Sequence, residues 1–266
     1  MYRNINKILL TAIVLFLPAI ASAQGIGNVV SFVGQVRINR GHAVLPVSVG
    51  MALMKDDTVT TGHDGRVRIL FVDDSVVNIG SDSSIDMARY TATPSKRDVL
   101  LSAVKGKIRF YISRVTNAFN TYDVHTVTAV IGIRGTDFIV DASGDTTGLY
   151  VIGGIVGYGN VNQPPSAAIE VTQGTVSFVR GDKPPTMPTA YSGKRIQELI
   201  EDTTVPFNDD YTTGFNAVMP QQYGGQPPRT ASGVPNAYQQ PVASGQGPAS
   251  TPVPVNVGAN YGNVAR

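Results

Sequence analysis

The stretch that decides the fold is Ala129-Val130-Ile131-Gly132-Ile133-Arg134-Gly135-Thr136-Asp137-Phe138-Ile139-Val140. Val, Ile and Phe at this density favour a β-strand. Gly132 and Gly135 permit a backbone conformation or a close approach that a β-carbon would forbid. Arg134 stands between them in an otherwise apolar segment, where a cation must find partners or reach water. Asp137 is close in sequence and is one candidate partner.

Short strands and turn signals continue on both sides of this stretch, from Gly25 to about Arg180. The segment from Arg66 to Val72 alternates apolar and polar residues, and Gly62-His63-Asp64-Gly65 before it has the composition of a turn. Strands this short, with turns about every eight to twelve residues, are typical of an all-β domain. We expect an elongated, β-solenoid-like stack of short strands, with a closed β-sandwich as the alternative.

Three segments of the β region resemble one another around a glycine, at Gly34, Gly106 and Gly174. Each combines a strand, a glycine turn or bulge, and a second strand. A spacing of roughly seventy residues is long for a solenoid repeat. We therefore interpret the likeness as three β-bends that use the same turn chemistry.

The N-terminus has the features of a secretory signal peptide. Arg3 and Lys7 form a positively charged region before an apolar stretch from Ile8 to Ile20, and Ala21-Ser22-Ala23 is a cleavage site before Gln24. The apolar stretch is too short for a comfortable membrane span. We expect a periplasmic or secreted protein, cleaved after Ala23, with no transmembrane span in the mature chain.

Charge and cysteine content exclude several classes of function. Removing Arg3 and Lys7 leaves 19 basic residues against 19 acidic ones, so the mature chain has no basic footprint for nucleic acid. The absence of cysteine excludes disulfides, thiolate metal sites and a lipid-modified N-terminus of the bacterial lipoprotein kind.

The composition changes after Arg180. Ser192 can cap a short helix from about Gly193 to Asp202, with Ile196, Leu199 and Ile200 on one face. From Pro206 onward small and polar residues dominate, which predicts a disordered tail. The chain thus divides into a signal peptide (1–23), a β domain (24–182), a linker with a short helix (183–205) and a Pro/Gly/Gln-rich tail (206–266).

Several motifs taken together resemble the FecR domain family. The segment from Thr126 to Phe138 matches the family's "T-P-x-A-x-x-G-[IV]-R-G-T-x-F" signature, although Val127-Thr128 depart from its usual start. Gly106-Lys107-Ile108-Arg109 matches the family's "G-x-[IV]-R" turn. The motifs that resemble the earlier parts of a FecR domain are Gly34-Gln35-Val36, Gly50-Met51-Ala52-Leu53, Asp57-Thr58-Val59-Thr60-Thr61-Gly62, Gly65-Arg66-Val67-Arg68-Ile69-Leu70-Phe71 and Asp73-Asp74-Ser75. The resemblance covers about residues 25 to 180.

The resemblance implies an extracytoplasmic all-β module. FecR proteins relay iron-siderophore signals to a cytoplasmic sigma factor, and their periplasmic region binds the signalling domain of an outer-membrane receptor. We expect no anti-sigma region here, so the chain resembles the stand-alone secreted members of the family. The structural signature implied by the resemblance consists of Gly132, Arg134, Gly135, Thr136, Asp137 and Phe138.

Candidate sites for chemistry are few. His42, His63 and His125 are scattered, and no G-x-S-x-G motif is present. The acidic clusters lack the spacing of a calcium loop and are expected in β-turns instead; they are Asp56-Asp57, Asp73-Asp74 and Asp82/Asp86. We interpret Arg134 as an internal clamp that holds Asp137 or backbone carbonyls, rather than as an anion site.

The function predicted from the sequence is therefore non-enzymatic. We expect an exported interaction or sensory module that docks an envelope protein partner through strand edges. A cell-envelope glycan- or polymer-binding protein is the alternative, although the chain has no Trp. No cofactor and no metal are expected, and a hydrolase would lack a catalytic constellation.

Overall fold

The computed structural model describes residues 25–93, 96–114 and 120–205, without the side chains of residues 103 and 104. The predicted signal peptide and the predicted disordered tail lie outside these residues. No helix in the described part of the chain is long and apolar enough to cross a membrane. The strands are β1 (Gly27–Val33), β2 (Val36–Arg40), β3 (Ala43–Pro46), β4 (Ala52–Leu53), β5 (Thr58–Thr61), β6 (Arg66–Phe71), β7 (Val76–Ile79), β8 (Ser84–Ala92), β9 (Arg97–Tyr111), β10 (Thr121–His125), β11 (Ala129–Ile133), β12 (Asp137–Ser143), β13 (Thr146–Gly153), β14 (Ile155–Asn160), β15 (Ile169–Thr172), β16 (Thr175–Arg180) and β17 (Thr189–Ala190). A 3-10 helix at Pro165–Ala167 follows β14, and helix α1 spans Gly193–Thr203.

These strands form two sheets that share β9. Sheet A has the order β4-β1-β6-β7-β9-β12-β13-β16-β17. Sheet B has the order β3-β2-β5-β8-β9-β10-β11-β14-β15. Neighbouring strands are antiparallel except for β9 and β10, which run parallel. Because neighbouring strands lie about 4.8 Å apart, each sheet extends over roughly 40 Å.

Strand β9 passes from one sheet to the other. Residues 97–105 belong to sheet B and residues 106–111 to sheet A. Gly106 lies at the bend with a φ of +96°, and a β-carbon there would overlap Ser83. Gly34 and Gly174 lie at two other crossings, from β1 to β2 and from β15 to β16, with φ values of +62° and +82°. The three β-bends expected from the internal likeness are therefore confirmed.

The core lies between the two sheets. Phe71 of sheet A stacks on Tyr90 of sheet B with ring centroids 5.1 Å apart. Within sheet A, the rings of Phe110 and Phe138 stack with their centroids 5.0 Å apart. One cluster of buried apolar residues joins both sheets. The predicted all-β fold, an elongated stack of short strands with one short helix, is confirmed. Packing of the two layers also gives the stack the character of a sandwich, and neither sheet closes into a barrel within the described residues.

Helix α1 covers part of the outer face of sheet A. Ser192 Oγ accepts a hydrogen bond from the Arg195 backbone N–H at 3.2 Å, which confirms the predicted N-cap. Leu199 is fully buried, and its cluster includes Ile139, Tyr150 and Val176 of sheet A. The apolar face predicted from the sequence is therefore the one that packs.

Polar contacts also hold the segment 183–205 on sheet A. Arg195 forms an ion pair with Asp141 of β12 at 2.8 Å, and Lys107 of β9 pairs with Asp202 at the other end of the helix. Strand β17 pairs with β16. The segment is thus part of the packed domain, which the expectation of a linker over 183–205 did not include.

Candidate functional site

The signature residues occupy the end of β11, the bend after it and the start of β12. Phe138 is fully buried in the core, and Thr136 is buried beside the bend. Gly135 has a φ of +73°, and a β-carbon there would lie 2.8 Å from Arg114 Cα. The bend therefore requires glycine at position 135, because other residues rarely adopt this conformation.

Arg134 does not have the clamping role expected from the sequence. Its side chain is exposed at the bend, and Asp137 pairs instead with Arg109 of the adjacent strand β9. The Asp137 carboxylate accepts hydrogen bonds from Arg109 Nε at 3.0 Å and Nη2 at 2.7 Å, with the two side chains 12% and 11% exposed. The expected Arg134–Asp137 pair is therefore wrong. The chain turns at Gly135, which directs Arg134 away from the face that Asp137 shares with β9.

The acidic clusters form turns, as expected, except for Asp86, which lies within strand β8. Asp56, Asp74 and Asp82 have φ values of +66°, +62° and +52°, a conformation that Asp tolerates better than most residues. Asp57 forms an ion pair with Arg40 at 2.7 Å. Among the described residues, no group of three or more His, Asp or Glu side chains is placed to hold a metal ion.

Asp73 has a different structural role, in a cluster that links the two ends of the bent strand β9. Arg97, at the start of β9, pairs with Asp73 at 3.0 Å and donates to the carbonyl of Ser113, just beyond the other end of the strand, at 2.8 Å. The Asp73 carboxylate also accepts from Ser75 Oγ at 3.0 Å. These contacts satisfy the polar groups of a buried ion pair and join the two sheets. We therefore assign the cluster a role in the stability of the fold.

The outer face of sheet B is the candidate binding surface. Within the described residues no α-helix packs on it and only the short segment around the 3-10 helix lies against its β14 strand, beside Gly159, whereas α1 covers the opposite side of the molecule. One row of residues runs across this face in register; its members, hereafter the Gly132 row, are Arg89, Leu100, Asp123, Gly132, Gly157 and Glu170. Their neighbours along each strand, such as Leu101, Val124 and Val171, are fully buried, so alternation directs the row outward.

Gly132 and Gly157 leave a gap in the middle of this row. A β-carbon on Gly132 would meet only Asp123 Oδ1, at 3.7 Å, and one on Gly157 would meet only the Gly132 carbonyl oxygen, at 3.6 Å. Neither glycine has a positive φ. Neither backbone conformation nor packing explains them, and glycine inside a strand often marks the close approach of another chain or ligand. The gap therefore exposes bare backbone over a width of two strands.

Two carboxylates stand on either side of the gap. Asp123 and Glu170 have no hydrogen bond or ion pair to another residue in the described ranges. They lie three strands apart, a distance of about 15 Å. Burial raises the pKa of Asp123 to about 6, although the nearby Arg89 favours its charged form. His125, two residues along β10 on the same face, has a pKa lowered by burial and by Arg89.

Sequence reasoning did not identify Asp123, Gly157 or Glu170. The alternation in Tyr122-Asp123-Val124-His125 contains a signal, because it places Asp123 and His125 on one face of a strand. No sequence pattern reveals that Asp123 lies beside Gly132, or that Gly132 lies beside Gly157, since these contacts depend on which strands pair.

Comparison with known families bears on the same region. The model of the family described as FecR protein matches residues 57–157. These residues are hereafter called the FecR segment, after the family model that they match. The predicted resemblance is confirmed over that range, and the FecR segment includes the signature residues, the Arg109–Asp137 pair and all of the Gly132 row except Glu170.

Comparisons with whole proteins give weaker similarity than the family model does. No curated protein matches the chain. Two crystal structures of a protein from Parabacteroides distasonis, described as a candidate anti-sigma factor, are similar to it at 15% and 16% identity, each with a TM-score of 0.43. Each match covers 53% of this chain and 62% of that chain. The chain therefore spans about three-fifths of the length of the solved structures it matches.

Proposed function

We propose that this protein is an exported, non-enzymatic interaction or sensory module that docks a protein partner of the cell envelope. The FecR segment supports a regulatory role, because the resemblance implies relatives that bind other envelope proteins. The N-terminal sequence supports export, which places the protein in the periplasm or outside the cell in this proposal.

The gap in the Gly132 row is the observation that carries the proposal. Two glycines with room above them cost strand stability and gain nothing from local packing. The carboxylates of Asp123 and Glu170 beside them form no hydrogen bond or ion pair among the described residues. An open, polar face with close access to the backbone suits a second protein chain, because both side chains and main-chain groups can then be contacted.

Capture from an envelope extract tests this proposal. The chain from Gln24 onward is immobilised as wild type, as Gly157→Arg, which fills the gap, and as Thr60→Arg. Thr60 also lies in sheet B, in β5, five strands away from β14, so its variant matches the added charge without touching the gap. We expect wild type and Thr60→Arg to retain the same envelope protein and Gly157→Arg to lose it.

Two results would contradict the proposal. If Gly157→Arg and wild type capture the partner equally well, the partner does not bind at the gap. If wild type and both variants bind insoluble envelope glycan and none of them captures an envelope protein, the glycan-binding alternative is favoured instead.

A further inference from the structure

We propose that the partner contributes an extended segment that joins sheet B as an additional strand beside β15, with a cationic residue opposite Glu170. This inference rests on the proposed docking function and specifies its geometry and chemistry. It follows from the direction of backbone groups in β15, from the state of the other sheet edges and from the charge on the outer face.

The backbone of β15 presents unpaired groups at the edge of sheet B. The Gln173 N–H donates to the Gly154 carbonyl at 3.0 Å, which makes Ile155 and Thr172 a pair that does not exchange hydrogen bonds. Hydrogen-bonded and non-hydrogen-bonded pairs alternate along an antiparallel ladder. The N–H groups of Glu170 and Thr172 therefore point away from β14, as does the Glu170 carbonyl, and no backbone group among the described residues bonds to them.

The other edges of the two sheets are protected. Strands β4 and β17 at the ends of sheet A are two residues long, and beside β4 the β1 residues Val30 and Ser31 are buried. Next to β17, the Thr186 N–H bonds to the Phe178 carbonyl of β16 at 2.9 Å. Strand β3 at the other end of sheet B ends in Pro46, a residue that opposes strand addition at an edge. Strand β15 has four residues and no proline.

The side chains of β15 specify what the added strand must carry. Val171 is fully buried toward the core, while Glu170 is exposed on the outer face and has no ion pair within the described residues. Opposite charges directly across two strands stabilise the pair, and like charges destabilise it. A lysine or arginine opposite Glu170 is therefore the complementary choice.

Titration with two short peptides tests the inference directly. The probes are the N-acetylated, C-amidated pentapeptides Thr-Val-Lys-Val-Thr and Thr-Val-Glu-Val-Thr, added to the isotope-labelled chain from Gln24 onward. Backbone amide chemical shifts report the site. We expect the lysine peptide to shift the Glu170 and Thr172 amides and to bind roughly three- to tenfold more tightly than the glutamate peptide. Shifts confined to another edge, or equal binding of both peptides, would overturn the inference.

Two variants separate backbone from charge. Thr172→Pro removes an N–H that faces the open edge and leaves the β14 ladder intact, so it should abolish peptide binding without unfolding the sheet. Glu170→Lys retains every backbone group and should reverse the preference toward the glutamate peptide. An unchanged preference in Glu170→Lys would refute the charge rule.

The same Thr172→Pro variant distinguishes failure of this inference from failure of the proposed function. If it captures the envelope partner as well as wild type does, strand addition is wrong and docking stands. If wild type captures no partner, the docking function itself fails. Loss of capture by Thr172→Pro, with retained folding, would support both.

Discussion

Replacing Arg109 with alanine should destabilise the domain far more than replacing Arg134. Arg109→Ala leaves the Asp137 carboxylate, 12% exposed, without the guanidinium that donates two hydrogen bonds to it. Removing one partner of a buried pair costs about 3–5 kcal/mol, and the residual exposure of this pair favours the lower end, about 3 kcal/mol. For a domain of this size that free energy lowers Tm by roughly 6–12 °C.

Arg134→Ala is the matched control, because it removes the same type of side chain from an exposed bend 25 residues away in the chain. A surface change of this kind alters the free energy of unfolding by about 0.5 kcal/mol or less, which corresponds to a shift in Tm of less than about 2 °C. Thermal and urea unfolding followed by circular dichroism measures both variants. Greater destabilisation by Arg134→Ala would refute the assignment of the clamp to Arg109.

A double-mutant cycle isolates the ion pair from the packing of the Arg109 side chain. Arg109→Ala, Asp137→Ala and the double variant are compared with wild type by urea unfolding. We expect a coupling energy on the order of 1–3 kcal/mol, as found for residues in direct contact. Additive effects of the two single changes would show that the pair contributes nothing beyond its separate side chains.

Three further predictions concern other parts of the fold. Gly135→Ala should lower the free energy of unfolding by about 1–3 kcal/mol more than Gly144→Ala, because both positions have positive φ but only the former would crowd a neighbouring backbone; equal losses in urea unfolding would contradict this reason. Leu199→Ala should cost about 2–4 kcal/mol, since α1 buries this side chain completely against sheet A, and an unchanged unfolding midpoint would show that the helix contributes little stability. Burial raises the pKa of Asp123 to about 6, against 3.8 for the free side chain. Between these two values the folded state holds a proton that the unfolded state has lost. The stability from this group is therefore present below pH 4 and is lost as the pH rises through 6. Asp123→Asn should therefore stabilise the domain by about 1–2 kcal/mol at pH 7.5 and little at pH 4, and the opposite trend in urea unfolding would contradict the desolvation of Asp123.

The sequence was sufficient to predict features that depend on local chemistry. Alternation of apolar and polar residues predicted strands such as β6, and the cap at Ser192 with its apolar positions predicted α1. The likeness around Gly34, Gly106 and Gly174 predicted bends, because positive φ is a local requirement that glycine meets.

Features that depend on pairing between distant strands were beyond such reasoning. Asp137 lies three residues from Arg134 in sequence, yet its partner is Arg109 on a neighbouring strand, 28 residues away. Gly132 and Gly157 likewise meet only because β11 and β14 pair in one register. A shift of one residue in that register would turn one of the two glycines toward the core and close the gap.

Site-specific photo-crosslinking in intact cells tests the central claim, that a protein partner docks at the β15 side of sheet B. A photoreactive amino acid is placed at Thr172, on the exposed side of β15, or at Lys194, whose side chain is 88% exposed on α1 at the opposite side of the molecule. We predict one discrete crosslinked envelope protein from the Thr172 position and none from the Lys194 position. Crosslinking from Lys194 alone, or no adduct from either position, would contradict the account.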